Sequence, residues 1–427
     1  MRVVVHPVKG SLSGVVVAPP SKSYTHRALF AALLASGESR VVNPLLSGDT
    51  AATVEAVRRF GGSVDVRLTR AGMEVRVAGV GGVPRSPPCV YCRGSGTTLR
   101  IATAVASLSK GPTLLYGNES LNKRPVAPLL NALESLGART LSRNGKPPVA
   151  VAGPIKGGEV VVDASMSSQF VTALLIVAPT IGLRITVAGK LKSAPYVDVT
   201  LKVLEAFGAS YSRGGKGKVF EVDGGGYTPT RYEVPGDYSS AAFIMAAAAL
   251  AGEVTVKGLS LNDPQGDRAV LGFLQAMGAE VMVNGDAVRV ASTGVLKGVA
   301  VDCSNTPDLV PVLVALAPHA KGVTRVVGAE HLAFKETNRL ATLTRNLRVL
   351  GVEAVPTEDG IVVRGGRVRG GVVNSFGDHR VAMAMAVTAL RAEGPVVIDG
   401  AECVSDSYPS FFDDLRSLGV RVEVIKE

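Results

Sequence analysis

A short pattern of apolar and polar positions recurs along the chain. A large apolar residue is followed by a glycine and a small residue, after which apolar and polar positions alternate. Successive copies lie about 70 residues apart. The six copies are Phe60-Gly61-Gly62, Leu136-Gly137-Ala138, Phe207-Gly208-Ala209, Met277-Gly278-Ala279, Leu350-Gly351-Val352 and Leu418-Gly419-Val420. Such regular spacing predicts an internal repeat.

Each copy predicts the same succession of elements. An apolar helix precedes the glycine that stops it, and a strand or hairpin follows, as at 280–290 around Asn284-Gly285-Asp286. A second, more hydrophobic helix is expected to be the buried one. Examples are 97–108, 170–178, 241–251, 309–317 and 381–390. Six units of strands and two helices predict an α/β protein with two three-unit domains.

The composition indicates a globular protein, whose net charge fits small anionic substrates at least as well as nucleic acid. The 427 residues are 46% hydrophobic and 19% charged, and apolar stretches such as 241–251 are too short to span a bilayer. Residues 1–10 lack the apolar run of a targeting segment, so we expect a cytoplasmic protein without a membrane partner. The net charge of +10 comes without a dense basic run and with 5% aromatic residues, which argues against a nucleic-acid partner.

The four cysteines do not predict a metal site or a disulfide scaffold. Cys89 and Cys92 have metal-like spacing, but 88–92 has the pattern of a strand, in which residues three apart face opposite sides. No second pair follows. We therefore interpret both cysteines as core residues.

The stretch Pro19–Gly37 predicts an anion site at a helix start. Two prolines end the preceding strand, Ser21 or Ser23 can cap the helix, and Lys22 and Arg27 lie in its first turns. Free N–H groups, hydroxyls and cations together suit a phosphate or a carboxylate. An ordinary capped helix with solvated cations is the alternative. Gly or Ser also recurs before the other buried helices, so several such starts are expected to converge.

Seven motifs in order resemble the 5-enolpyruvylshikimate-3-phosphate synthase family, over about residues 10 to 415. They are Ser21-Lys22-Ser23 through Arg27, Gly94-Ser95-Gly96-Thr97, Lys123-Arg124-Pro125, Ser167-Ser168-Gln169-Phe170, Pro307-Asp308, Lys335-Glu336-Thr337-Asn338-Arg339 and Asp378-His379-Arg380. The resemblance implies a two-domain inside-out α/β barrel, the enolpyruvyl transferase fold, with three βαβαββ repeats per domain. It places residues 1–18 and 232–427 in the first domain and 19–231 in the second, with the buried helices pointing at the cleft between them.

The resemblance also implies a reaction. The enolpyruvyl group of phosphoenolpyruvate is transferred to the 5-hydroxyl of shikimate 3-phosphate through a tetrahedral ketal, and phosphate is released, in the shikimate pathway to chorismate and the aromatic amino acids. No cofactor and no metal are needed. The expected partners are these two small molecules, and the expected state is a monomer.

The resemblance assigns one group of residues to shikimate 3-phosphate, mainly in the second domain. They are Lys22, Ser23, Arg27, Ser167, Ser168, Gln169, Ser193, Tyr196, Asp308 and Lys335. Serine hydroxyls at a helix start add donors to those of the backbone, which suits a phosphate. Plain helix capping is the alternative for Ser167 and Ser168, and a core tyrosine is the alternative for Tyr196.

A second group is assigned to phosphoenolpyruvate, mainly with the acid/base residues of the first domain. These residues are Lys22, Gly96, Arg124, Gln169, Glu336, Arg339, His379 and Arg380. Gly96 would let the ligand approach the backbone, and arginines grip carboxylate or phosphate oxygens through paired bonds. The alternative for His379 is a structural hydrogen bond.

Two proton transfers require acid/base groups, and the catalytic residues implied are Asp308, Glu336 and Lys22. Asp308 is the hypothetical base at the 5-hydroxyl, Glu336 the acid/base at the methylene carbon, and Lys22 a stabiliser of charge. Without the wider pattern, Asp308 is a helix N-terminal carboxylate and Glu336 an i to i+3 partner of Arg339.

The sequence departs from the family at two positions and leaves other functions open. Asp406 stands where several members have a lysine, and His331 where some have an asparagine; the latter could bind substrate, sense pH or be a surface histidine. The UDP-N-acetylglucosamine enolpyruvyl transferases share the fold but carry a cysteine where Glu119 stands and an asparagine where Ser23 stands. RNA 3′-phosphate cyclase relatives share it too, without their motifs here. A non-catalytic anion- or RNA-binding module is the alternative of another class.

Overall fold

The computed structural model describes residues 1–69 and 72–425. Their α-helices alternate with short strands along the whole chain. The helices are α1 (Lys22–Leu34), α2 (Gly48–Arg59), α3 (Gly96–Ala106), α4 (Ala127–Ser135), α5 (Gln169–Ile181), α6 (Pro195–Ala206), α7 (Tyr238–Ala251), α8 (Val270–Ala276), α9 (Val310–Leu316), α10 (Arg339–Val349), α11 (His379–Ala389) and α12 (Phe411–Ser417).

The chain divides into two compact units. Unit 1 is Met1–Pro19 with Gly236–Glu427, and unit 2 is Pro20–Pro235; the divisions expected from the sequence were 18/19 and 231/232. Backbone hydrogen bonds close each unit where the chain crosses between them. In unit 1 the N–H of Asp237 donates to Pro19 O at 2.8 Å, and in unit 2 the N–H of Ser21 donates to Pro235 O at 2.8 Å.

Unit 2 contains three four-stranded sheets of one design. Its strands are β3 (Glu38–Val42), β4 (Ser63–Thr69), β5 (Gly72–Ala78), β6 (Cys89–Tyr91), β7 (Thr113–Tyr116), β8 (Arg139–Arg143), β9 (Lys146–Ala152), β10 (Gly158–Asp163), β11 (Leu183–Ala188), β12 (Tyr211–Gly214), β13 (Val219–Val222) and β14 (Arg231–Glu233). Their orders are β14-β3-β5-β4, β6-β7-β9-β8 and β10-β11-β13-β12. Each has a parallel pair and a terminal antiparallel hairpin, as in β10 with β11 and β13 with β12.

Unit 1 repeats that design. Its strands are β1 (Arg2–Val5), β2 (Leu12–Val17), β15 (Gly252–Lys257), β16 (Glu280–Asn284), β17 (Ala287–Ala291), β18 (Leu296–Lys297), β19 (Ala300–Asp302), β20 (Ala320–Lys321), β21 (Val323–Val327), β22 (Ala354–Pro356), β23 (Ile361–Arg364), β24 (Gly371–Asn374), β25 (Val396–Asp399) and β26 (Val422–Ile425). The four-stranded sheets are β16-β17-β15-β2, β19-β21-β23-β22 and β24-β25-β1-β26. With two helices for each sheet, these are the six βαβαββ repeats that the sequence predicted.

The repeat glycines end the helices as predicted. Each lies two residues after the last residue of a helix, and each has a positive φ, between 78° at Gly208 and 104° at Gly61. Glycine takes this left-handed conformation without the steric cost of a β-carbon. The hairpin predicted around Asn284-Gly285-Asp286 is formed by β16 and β17.

The helices expected to be buried form the two cores. Helices α1, α3 and α5 lie in the hydrophobic core of unit 2, and α7, α9 and α11 in that of unit 1. Every residue of α7 is buried, so it has no polar face. Within residues 1–69 and 72–425, no helix has both the length and the apolar character that a membrane span requires.

Candidate active site

Helix α1 presents Lys22 as its first residue. Its Nζ lies 2.9 Å from Oδ2 of Asp49, at the start of α2. The expected serine cap is only half right: Ser21 occupies the N-cap position, but its side chain makes no capping hydrogen bond. Instead, the hydroxyl of Thr25 donates to the carbonyl of Ser21. The first N–H groups of α1 are therefore not satisfied by a serine hydroxyl.

Arg27 lies one turn further along α1 and is buried. Its Nε donates to Thr200 Oγ1 at 2.8 Å, Nη1 to Ser23 O at 2.8 Å, and Nη2 to Thr172 Oγ1 and Tyr196 O. These acceptors are neutral. Burial lowers the pKa of Arg27 to about 10, still high enough for the guanidinium to be charged at neutral pH. The guanidinium thus remains a positive charge inside unit 2.

The start of α5 brings Gln169 to α3. Oε1 of Gln169 accepts from Arg100 Nη1 at 2.6 Å, and Nε2 donates to Thr97 Oγ1 at 3.1 Å. Ser167 Oγ accepts from the N–H of Gln169, and Ser168 is buried at the N-cap position without a side-chain cap. Plain capping therefore accounts for Ser167 but not for Ser168.

Gly96, the first residue of α3, lies where two arginines and a glutamine meet. A β-carbon placed on Gly96 would be 2.8 Å from Arg100 Nη1, 3.1 Å from Arg124 Nη1 and 3.6 Å from Gln169 Oε1. The structure thus brings together Gly96, Arg124 and Gln169, three of the residues assigned to phosphoenolpyruvate. It adds Arg100, which the site assignment missed although its sequence position, one turn into a buried helix, is a signal for it.

Ser193 and Tyr196 lie in one turn of the chain. Ser193 precedes α6, and Tyr196 is in the first turn of that helix. Ser193 has a φ of 54°, which a residue with a β-carbon rarely adopts. The N–H of Tyr196 donates to Ser193 O at 3.1 Å, and the carbonyl of Tyr196 accepts from Arg27. Tyr196 is only half-buried, so it is not a fully buried core tyrosine.

Asp308 is the centre of a charge cluster in unit 1. It lies in a 3-10 turn just before α9 and is buried. Its Oδ1 is 2.8 Å from Arg380 Nη1, 3.1 Å from Arg339 Nη1 and 3.7 Å from Lys335 Nζ. Three of the predicted cations therefore meet one predicted catalytic carboxylate.

Arg339 is fully buried and pairs with three carboxylates. Besides Asp308, Nη2 donates to Glu336 and Nε donates to Asp378 Oδ2 at 2.7 Å. Burial alone would lower its pKa, but Asp378, Glu336 and Asp308 raise it above the usual value. Glu336 is thus the i to i+3 partner of Arg339, an arrangement that leaves its catalytic role open.

Lys335 completes the cluster. Burial and the charge of Arg339 lower its pKa, although the carboxylate of Asp308 opposes that shift. Asp378 is the N-cap of α11 and accepts from the N–H of Arg380 and of Val381. The helix start therefore fixes Arg380 beside Asp308.

Asp267 is an acidic residue that the sequence did not single out. It is buried in a 3-10 turn before α8 and accepts a hydrogen bond from Ser239 of α7. Burial and the negative charge of Asp308 raise its pKa to about 7. Since Asp267 and Asp308 are about 40 residues apart in sequence, no local pattern signals their proximity.

The structure also shows where His331, His379 and Asp406 lie. His331 is buried in the 3-10 turn Glu330–Phe334, so the interpretation as a surface histidine is wrong. His379 is buried as the first residue of α11. Asp406 ends a 3-10 turn, Ala401–Asp406, that packs against α11.

The prediction of core cysteines is confirmed for Cys92, whereas Cys89 is only half-buried. Cys89 starts β6, and Cys92 follows it fully buried, where burial raises the pKa of its thiol. Among the residues that the structure describes, no group of three His, Cys, Asp or Glu side chains could hold a metal ion.

The chain was compared with models of known protein families and with curated proteins. The family model described as EPSP synthase (3-phosphoshikimate 1-carboxyvinyltransferase) matches residues 8–415. The chain belongs to the EPSP synthase family. Among curated members, a 3-phosphoshikimate 1-carboxyvinyltransferase of Aeropyrum pernix is 51% identical over 427 residues, covering 100% of this chain and 97% of that protein. One of Thermococcus kodakarensis is 46% identical, covering 97% and 99%.

Solved structures confirm the fold of this EPSP synthase family member. An EPSP synthase from Acinetobacter baumannii has a TM-score of 0.81 at 29% identity, with both chains fully covered. The enolpyruvyl transferase NikO from Streptomyces tendae has a TM-score of 0.78 at 19% identity, covering 99% and 98%. The predicted enolpyruvyl transferase fold is therefore confirmed.

Proposed function

We propose that the protein transfers the enolpyruvyl group of phosphoenolpyruvate to the 5-hydroxyl of shikimate 3-phosphate and releases inorganic phosphate. Family membership over residues 8–415 supports this reaction, as do relatives named 3-phosphoshikimate 1-carboxyvinyltransferase. The geometric observation that carries it is the junction at Gly96. There, a helix start, Arg100, Arg124 and Gln169 surround one glycine, an arrangement suited to a phosphate or a carboxylate.

In unit 2, shikimate 3-phosphate is bound by the hydroxyls of Ser167, Ser168 and Ser193, with Ser23, Arg27, Gln169 and Tyr196 around its ring and carboxylate. The strained backbone at Ser193 supports this role, because a left-handed serine persists only where surrounding structure holds it. The charge of Arg27 supports it too: its hydrogen bonds go to neutral oxygens, so it can attract an anion over a short distance.

Phosphoenolpyruvate is gripped by Lys22, Gly96 and Arg124 in unit 2 and by Arg339, His379 and Arg380 in unit 1, with Gln169 shared between the substrates. The Gly96 junction supports the first group, and the fixing of Arg380 by the start of α11 supports the second. Lys335 contributes a cation toward shikimate 3-phosphate.

The proposed chemistry uses two carboxyl groups of unit 1. Asp308 accepts the proton of the 5-hydroxyl, whose oxygen bonds to C2 of phosphoenolpyruvate, while protonated Glu336 donates a proton to the methylene carbon. This gives the tetrahedral ketal. Glu336 then takes a proton back from the new methyl group as the C–O bond to phosphate breaks, and the phosphate leaves with the proton that Asp308 had accepted. Lys22 stabilises the charge that develops on the phosphate oxygens.

The functional state follows from the same proposal. It includes a monomer in the cytoplasm without a nucleic-acid partner. The last point is supported by the two small multivalent anions, which match the excess of positive charge. Light scattering should give the mass of one chain, 44.0 kDa, with and without the substrates.

A phosphate-release assay tests the reaction. Release should require phosphoenolpyruvate and shikimate 3-phosphate together, and the organic product should be 5-enolpyruvylshikimate 3-phosphate by mass. Replacing shikimate 3-phosphate by UDP-N-acetylglucosamine should give no release. Release with that sugar nucleotide would favour the related transferase, and no release above the single-substrate blanks would reject the enzyme.

A further inference from the structure

Helices α1 and α2 are joined by two side-chain pairs at one-turn spacing. Lys22 and His26 are four residues apart on α1, and Asp49 and Thr53 are four residues apart on α2. Lys22 reaches Asp49 at 2.9 Å, and Nδ1 of His26 is 2.6 Å from Thr53 Oγ1. The first pair is half-buried, whereas the second lies inside the core.

The second pair continues to the start of α3. Oγ1 of Thr53 is 2.7 Å from Oγ1 of Thr98, and the Thr98 hydroxyl donates to Ser95 Oγ at 2.7 Å. Ser95 is the N-cap of α3 and also accepts from the N–H of Thr98. All four side chains are at most 1% exposed. A buried chain therefore runs from His26 through Thr53 and Thr98 to the residue before Gly96.

The hydrogen bonds of this chain have one direction. Because a hydroxyl carries one hydrogen, Thr98 can donate to Ser95 only if Thr53 donates to Thr98, and Thr53 must then accept from an Nδ1–H of His26. Burial, then the charges of Lys22 and Arg27, lower the pKa of His26 well below its usual value, so it is neutral with one N–H. In the described part of the chain, Nε2 of His26 has no hydrogen-bond partner, which agrees with a proton on Nδ1.

We propose that the chain His26–Thr53–Thr98–Ser95 is a positioning device, which fixes the starts of α1 and α3 so that Lys22 and Gly96 grip phosphoenolpyruvate together. The inference rests on the proposed function, since it takes phosphoenolpyruvate as the ligand of both residues. Apolar contacts between helices tolerate small shifts, whereas a buried hydroxyl chain is satisfied in one arrangement only. Thr53, which belongs to neither binding helix, is the link between them.

Thr53→Val tests this link, because valine keeps the shape and removes the hydroxyl. We expect KM for phosphoenolpyruvate to rise about tenfold, since small misplacements of binding groups are costly. KM for shikimate 3-phosphate should rise less, because only Lys22, Ser23 and Arg27 among its proposed ligands lie on α1 and the others lie outside α1 and α3. Thr53→Ser retains the hydroxyl and should restore wild-type values.

Thr103→Val is the matched control. Thr103 is equally buried on α3, but its hydroxyl donates within the helix, to Leu99 O at 2.7 Å. This variant should lower the melting temperature about as much as Thr53→Val does, without changing either KM. If Thr53→Val leaves KM for phosphoenolpyruvate unchanged, or if Thr103→Val raises it equally, the chain is only structural and the proposal fails.

The histidine tautomer gives a second readout that does not depend on turnover or on a variant that folds. With ¹⁵N-labelled histidine, one of the five histidines should show the Nδ1–H tautomer at neutral pH. Assignment to His26 supports the directed chain, and an Nε2–H tautomer there overturns it. Failure of the wild type to release phosphate would instead reject the proposed function, so the two failures are distinct.

Discussion

At the scale of single residues, the buried arginines differ in what surrounds their charge. Arg27 donates to neutral oxygens, whereas Arg339 donates to Asp378, Asp308 and Glu336. A charge among neutral groups can attract a substrate anion, but a charge shared by three carboxylates first orients those carboxylates. These bonds use three of the five guanidinium N–H groups, which leaves one on Nη1 and one on Nη2 for a direct contact of Arg339 with phosphoenolpyruvate. Its evident effect is to hold Asp308 and Glu336 in place.

The proton-transfer roles predict slow formation of the ketal in two variants. Asp308→Asn and Glu336→Gln keep the shape of each side chain and remove its acid/base function, so each should slow the single-turnover step by about 10²- to 10⁴-fold. Glu358→Gln, an exposed position in the same unit, is the control and should leave the rate unchanged. Wild-type rates in both variants would contradict the assignment.

Asp267 predicts a pH-dependent stability. Its pKa is raised from 3.8 to about 7, so between these values the unfolded chain has lost a proton that the folded chain keeps. Fewer protons on the unfolded state mean that stability falls as pH rises through this window and levels off above it. Asp267→Asn mimics the protonated carboxyl and should remove this fall. Melting temperatures at about pH 4.5 and about pH 7.5 test it, and parallel changes in both proteins would rule it out.

At the scale of elements, backbone conformation at the repeat glycines is what ends each helix. Gly137 has a φ of 103° and open space where a β-carbon would lie, so its requirement is conformational and not steric. Gly272, inside α8 and exposed, also has open space but an ordinary helical backbone. Relative to alanine, we therefore expect glycine to stabilise the fold at position 137 and to destabilise it at position 272.

Replacement of these two glycines should separate those effects. Gly137→Ala should destabilise unit 2 by about 1–2 kcal/mol, because a β-carbon is unfavourable at positive φ. Gly272→Ala should stabilise unit 1 by about 0.5–1 kcal/mol, since alanine has the better helix propensity. Thermal unfolding followed by circular dichroism measures both. If both replacements change the stability in the same direction, the backbone conformation does not distinguish the two sites.

At the scale of the whole molecule, the two compact units contain different groups of the proposed site residues. Unit 2 holds the serines assigned to shikimate 3-phosphate, and unit 1 holds both proposed acid/base carboxylates. Each unit also has its own hydrophobic core and its own sheets. Most of the proposed ligands of shikimate 3-phosphate and the two proposed acid/base carboxylates thereby belong to different compact units of the chain.

A fragment of residues 20–235 tests this separation. It contains the complete core of unit 2 and should fold, because Ser21 and Pro235 are hydrogen-bonded at its ends. It should bind shikimate 3-phosphate in calorimetry but release no phosphate from phosphoenolpyruvate, since Asp308 and Glu336 are absent. The same fragment with Ser193→Ala is the control and should bind more weakly. A folded fragment that does not bind would place the main binding groups elsewhere.

The sequence by itself determined the features that depend on neighbouring residues. The repeat, its helix stops and the buried helices could be predicted because a glycine at positive φ and an apolar helix are properties of a few consecutive residues. The motifs suggested both groups of proposed site residues for the same reason, since each motif is a short run of neighbouring residues. Caps were less certain: Ser21 stands at the right position, but its hydroxyl does not make the bond.

Only the tertiary structure decided which residues far apart in the chain form hydrogen bonds and charge contacts with one another. The junction of Gly96 with Arg100, Arg124 and Gln169 depends on packing between α3, α5 and the residues before α4. Asp267 beside Asp308, and His26 bonded to Thr53, likewise join separate elements. Burial and charge at such contacts set each pKa and each hydrogen-bond partner, and both depend on the folded surroundings and not on local sequence.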